Sequence, residues 1–146
     1  MMRLQSHGTR IAHMSGGFLP DAPEEGRESA FELELHFHER QAAEHSVIFV
    51  TLEVLDRQEH ILVGGLVYVA SDEPLSALTD DELAAAVTSS GLQHVAYDLC
   101  ALVARQMKGT LGFDLLIEDF PPAPTITIDR AGPKSEMVPE ETNGAE

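Results

Sequence analysis

His36 and His38 stand two residues apart in the stretch Phe31-Glu32-Leu33-Glu34-Leu35-His36-Phe37-His38. A period of two turns both rings to one side of a strand. Imidazoles so placed suit zinc, copper or nickel, and a metal with an open position could activate water. His45 and His60 head two further apolar runs and could approach the pair. A histidine site of the barrel type also needs a following carboxylate and a later histidine in a glycine-rich context. Neither stands at the required spacing, so no metal is expected. Cys100, between Leu99 and Leu102 in a helical pattern, reads as a small core residue and not as an activated thiolate. As the single cysteine it excludes an internal disulfide and a cysteine-built zinc site. The chain holds no Gly-x-Ser-x-Gly turn, phosphate-binding glycine loop or dinucleotide fingerprint. No catalytic residue and no cofactor are expected, and the protein does not read as an enzyme.

Chemistry that needs no catalytic group must rest on surfaces, and the elements decide what these are. The 146 residues and 15.9 kDa fit one domain, with 43% hydrophobic and 23% charged residues in globular proportion. Nine Lys and Arg against 25 Asp and Glu give a net charge of -16. Nucleic acid and anionic membranes are therefore poor partners, while basic polypeptide segments are attracted. The longest nearly apolar run, Ile61 to Ala70, falls well short of the roughly 20 residues a spanning helix requires. Met1 to Gly8 carry no apolar core of signal-peptide length, and a cytoplasmic location is expected.

Arg10 to Leu19 has scattered apolar residues and reads as a short edge strand; Pro20 to Ser29 is a loop. Phe31 to His38 alternates strictly, as a half-buried strand does. His45 to Asp56 and His60 to Ala70 are rich in β-branched residues and joined by the short polar link Asp56-Arg57-Gln58-Glu59. Short links favour antiparallel neighbours. Thr79-Asp80-Asp81-Glu82 matches a capping box for a short helix over 80–87, and a longer helix runs from Leu92 to Lys108 with Gly109 as its stop. Phe113 to Phe120 is a strand or an extended arm, broken by Pro121-Pro122, and Thr125 to Ile128 could pair as a small strand. The reading is an α+β fold. A four-stranded antiparallel meander is followed by a short and a long helix packed on one face. A single domain covers residues 1–130 and a disordered acidic tail covers 131–146.

The strands over 45–56 and 60–70 are apolar on both faces, and one long helix covers one side of a small sheet. The remaining apolar surface predicts oligomerisation, exposed grooves, or both. The element order, with Asp21-Ala22-Pro23, Gly65-Leu66-Val67, Leu78-Thr79-Asp80-Asp81-Glu82-Leu83 and Val95-Ala96-Tyr97, resembles the SecB-type export chaperone family over roughly Arg10 to Phe120. The resemblance implies a cytosolic, acidic dimer of dimers that holds unfolded client polypeptides without nucleotide hydrolysis. Some members of the family control antitoxins. The chain departs from the family pattern after Tyr97, where Asp98-Leu99-Cys100-Ala101 lacks its proline and arginine.

A holding chaperone works by burying client side chains at about 25 cal/mol per Å². On that reading Phe113, Leu115, Leu116, Ile117 and Phe120 on the arm, with Tyr97 and Leu99 on the helix, are the peptide-binding candidates. Asp21, Glu32 and Glu34, with the His36 and His38 face, are candidates for an export translocase ATPase or another partner. The rival readings are an oligomeric adaptor for one folded protein, a chaperone tied to a toxin–antitoxin pair and, third, a histidine-ligated metalloenzyme.

Overall fold

The computed structural model describes residues 4–36 and 45–130. The elements are β1 (Leu4–Phe18), β2 (Arg27–His36), β3 (His45–Asp56), β4 (Glu59–Ser71), a 3-10 turn (Leu75–Ala77), α1 (Asp80–Ser89), α2 (Leu92–Leu111) and β5 (Thr125–Asp129). The acidic tail over 131–146, Phe37 and His38 lie outside the described residues.

The strands form one five-stranded sheet in the order β1-β4-β3-β2-β5. It is mixed, where four antiparallel strands were expected. β2, β3 and β4 make the predicted meander, with Phe31 opposite Leu52 and Val50 opposite Gly65. β5 runs parallel to β2, Leu33 beside Ile126 and Leu35 beside Ile128. The chain between β4 and β5 contains both helices and is long enough for a parallel return. β1 crosses over to pair with β4, not with its sequence neighbour, and is longer than the predicted segment. Its register shifts twice, between Ser6 and Gly8 and between Ile11 and His13. These irregularities explain its unreadable pattern. Leu4 and Ile11 are seven apart and would face opposite ways on a regular strand, yet both pack into the core.

The β3–β4 hairpin turns on Arg57 (φ 52°) and Gln58 (φ 77°), both in the left-handed region that two-residue hairpins demand. Gln58 is tied down by its side chain, which donates to the Pro20 and Ala22 carbonyls at 3.2 and 2.9 Å, while its own carbonyl accepts from Leu19 N–H at 2.8 Å. The β1–β2 connection is thereby fastened to this turn.

Alternation sorts the sheet residues. Phe31, Leu33, Leu35, Ile48, Val50, Leu52, Val54, Ile61, Val63, Val67 and Val69 are buried on the helix-covered face. Thr79 caps α1 as foreseen, accepting from Glu82 N–H at 3.1 Å while Glu82 accepts from Thr79 N–H at 2.9 Å. α2 passes through Gly109 and ends at Gly112 in the left-handed conformation (φ 71°). Its inward residues are Leu92, Ala96, Tyr97, Cys100, Ala101 and Ala104. Small side chains let the helix sit low on the sheet over Gly65. A Cβ there would lie 2.9 Å from Leu99 Cδ2 and 3.2 Å from the Arg10 carbonyl. No helix among the described residues is long and apolar enough to cross a membrane.

Candidate functional site

A groove runs between the second half of β1 and the second half of α2. Its volume is about 480 Å³, and its apolar walls are Met14, Val103, Met107 and Leu111. Gly16 forms part of the strand wall because a Cβ there would stand 2.8 Å from Leu111 Cδ1 and 3.2 Å from Met107 Cε. Only a glycine lets those side chains lie along the strand. Met14 and Leu111 are 58% and 43% exposed, and β1 is an edge strand. An edge strand presents backbone donors and acceptors to which an extended chain can add. Apolar walls beside such an edge are a surface that suits extended, nonpolar polypeptide.

The arm that follows α2 has neither helix nor strand through residues 113–124, yet side chains fix its backbone. The Glu59 carboxylate accepts from the Asp114 and Leu115 amides at 2.8 and 2.9 Å. Arg27 donates to the Leu116 carbonyl at 2.8 Å. Arg105 and the Tyr97 hydroxyl both donate to the Glu118 carbonyl, at 2.8 and 2.6 Å. Burial pushes the Tyr97 hydroxyl pKa up, opposed by the nearby Arg105 and Arg27 and reinforced by Glu118 and Asp119, and keeps it a donor. With its backbone held, the arm points Phe113, Leu115 and Ile117 into the core.

This placement divides the peptide-binding candidates. Tyr97, Phe113, Leu115 and Ile117 are buried in the single chain and offer a client nothing without rearrangement. Tyr97 stands edge-on to Phe31 with ring centres 5.3 Å apart, and Phe113 rests against Phe18 at 5.5 Å. Leu99 is half-buried over Gly65. Leu116 and Phe120, at 53% and 79% exposure, remain at the surface. The groove residues Met14, Met107 and Leu111 were missed. Their signal was faint: Met107 falls in the last turn of the predicted helix, Leu111 continues the helical pattern beyond its predicted stop at Gly109, and Met14 sits in the strand whose bulges hide its faces.

α2 also carries an outward apolar stripe, Val95 and Leu102 at 37% and 58% exposure. The helix is rotated so that the alanines and Cys100 face the sheet. Burial pushes the Cys100 thiol up to about 12, which fits a core residue.

The face of the sheet away from the helices holds Glu32, Glu34 and His36 of β2 beside Thr51, Phe49 and Val47 of β3. Asp21 is exposed in the β1–β2 connection, well along the chain from this face. Of the sequence-predicted histidines, His60 pairs with Glu53 at 2.7 Å. His36 lies 3.3 Å from both Glu34 and Asp129, and the ligand atoms of these three residues all lie within 4.8 Å of one another. β5 supplies Asp129, opposite His36 in the parallel ladder.

No family model and no curated protein matches the sequence. Among solved structures, the fold is similar to that of Rv1957 from Mycobacterium tuberculosis, a SecB-like chaperone in complex with a ChAD peptide from the Rv1956 HigA1 antitoxin. The TM-score is 0.62 at 14% identity, over 82% of this chain and 88% of that one. A protein of unknown function from Streptococcus agalactiae aligns at a TM-score of 0.38 and 17% identity, over 82% of this chain and 99% of its own. The first similarity is one of fold: this chain has the α+β architecture of a SecB-like chaperone.

Proposed function

We propose that this protein is a nucleotide-independent holding chaperone that receives extended, nonpolar segments of unfolded polypeptides in the groove between β1 and α2. The observation that carries the reading is the groove itself, an apolar trough of Met14, Val103, Met107 and Leu111 beside a strand edge. Phe18, Leu116 and Phe120 extend the exposed apolar surface available to a client. Burial of such surface is nondirectional and accepts many sequences, as a holding function requires. The acidic balance of -16 attracts basic segments and keeps a loaded complex soluble. The SecB-like fold supports the reading, and the peptide in the Rv1957 structure makes an antitoxin-like client as fitting as an export client.

On this proposal Tyr97, Phe113, Leu115 and Ile117 seat the arm from within, Leu116 and Phe120 are the arm's client contacts, and Leu99, half-buried on α2 over Gly65, is a helix contact. The Val95 and Leu102 stripe meets another copy in a homo-oligomer, a dimer of dimers by the family pattern. Glu32 and Glu34, with Asp21, receive a basic partner such as a translocase, and the location is cytoplasmic. The test dilutes a chemically unfolded protein into buffer with this chain and no nucleotide and follows light scattering. Suppression near one client per oligomer is expected, weakened severalfold by Met107→Asp in protein of unchanged helix content. Undiminished aggregation would overturn the proposal and favour an adaptor for one folded partner.

A further inference from the structure

We propose that Glu34, His36 and Asp129 form a binding site for a divalent transition-metal ion of the zinc class, on the sheet face opposite the helices. This goes beyond the chaperone reading and uses none of its residues in the groove.

The sheet ladder places the three groups. Glu34 and His36 are two apart on β2 and share a face, and Asp129 on β5 is the register partner of His36. Their ligand atoms fall within 4.8 Å of one another without any loop to position them. The His36 ring is held between strands, with Phe49 4.3 Å from its centre. Its two nitrogens are in different situations. Nδ1 faces Asp129 Oδ2 at 3.3 Å. Nε2 is 3.3 Å from Glu34 Oε1, yet it is a buried atom that makes no hydrogen bond.

A buried polar nitrogen without a partner is costly, and an ion is one partner that would relieve it. A proton on Nδ1, facing Asp129, would leave the Nε2 lone pair free. This is the carboxylate–histidine arrangement that orients a metal-binding imidazole. Nε2 and the Glu34 carboxylate would then be the protein ligands, reached by small side-chain movements to the ~2.0–2.2 Å of zinc bonds. Water would complete the shell. Imidazole with carboxylate suits zinc or nickel over magnesium or calcium, which prefer oxygen alone. The acidic chain raises the local concentration of any cation. Bound there, the ion would fix the His36 ring and, through its Nδ1 contact with Asp129, steady the pairing of β5, a five-residue strand, with the end of β2.

The test titrates Zn²⁺, with Mg²⁺ in parallel, into the untagged full chain and follows the histidine ring nitrogens by NMR. Isothermal titration calorimetry gives affinity and stoichiometry. The expected result is a saturable one-to-one shift at His36 Nε2 with Zn²⁺ and none with Mg²⁺. Affinity should fall at least tenfold in His36→Gln and about tenfold in Asp129→Asn. His60→Gln, which removes the Glu53 pair on the same face, should leave it unchanged. Circular dichroism of each metal-free variant confirms that folding is retained. Zinc binding that survives His36→Gln in folded protein, or an unshifted His36 ring, would overturn the proposal.

Discussion

Gly65→Ala is a one-carbon test of where α2 sits. The added Cβ would lie 2.9 Å from Leu99 Cδ2, 3.2 Å from the Arg10 carbonyl and 3.3 Å from Val50 Cγ1. Leu99 is the free end of a half-buried side chain and can swing aside. The Arg10 carbonyl belongs to a paired strand, and Val50 is 1% exposed, so neither can yield without moving the sheet. Overpacking of this kind costs about 1–3 kcal/mol. Replacing a strand glycine returns roughly 0.5–1 kcal/mol through the unfolded chain. With two immovable neighbours the cost falls in the middle or upper part of its range, so a net loss of about 1–2 kcal/mol is expected, equivalent to roughly 2–8 °C in Tm for a chain of this size. Urea unfolding of both proteins at one fixed concentration measures it, since oligomerisation would make the midpoint concentration-dependent. In a Leu99→Ala background the same substitution should cost at least ~0.5 kcal/mol less, because the nearest clash is gone. A neutral or stabilising Gly65→Ala, or strict additivity of the pair, would show that α2 does not rest on Gly65, and the groove beside it would have a different shape.

Glu59→Ala removes the acceptor of two arm amides, and the Leu115 amide is partly buried. Urea unfolding should show a loss of about 1–3 kcal/mol; a loss under ~0.5 kcal/mol would mean that the arm is held by its buried side chains alone. Cys100 is held at about 12 from an ordinary 9.0 by burial. Its folded value is raised, so its contribution is complete below pH 9 and is lost as pH rises towards 12. Iodoacetamide at pH 8 should leave Cys100 unmodified in native protein, and Cys100→Ala should show a shallower alkaline loss of stability. Rapid native-state alkylation, or identical alkaline profiles, would contradict the burial argument.

The legible parts of the fold are those where local pattern and tertiary environment agree. Phe31, Leu33 and Leu35 alternate because one face of β2 meets the helices. The Thr79 and Glu82 cap is visible because both partners are local. β1 was only partly legible, since its register shifts break the period that would reveal Leu4 and Ile11 as one face. The pairing of β5 with β2 depends on how the long return through both helices and the arm ends, which no short window contains. The surface was read less well than the core. The arm was rightly seen as extended and apolar, but alternate residues of it serve the core, because Glu59, Arg27, Arg105 and Tyr97 fix its backbone from elements far away in sequence. Asp129 was invisible beside His36 for the same reason.

The central claim is that extended nonpolar polypeptide lies between β1 and α2. Of the five methionines, Met14 and Met107 line that groove. The measurement is methyl NMR of protein labelled at methionine, titrated with an unfolded polypeptide in the absence of nucleotide. The Met14 and Met107 methyl signals should shift or broaden saturably, and Met107→Asp should weaken the response at Met14. Client binding that leaves both methyls unmoved would contradict the account.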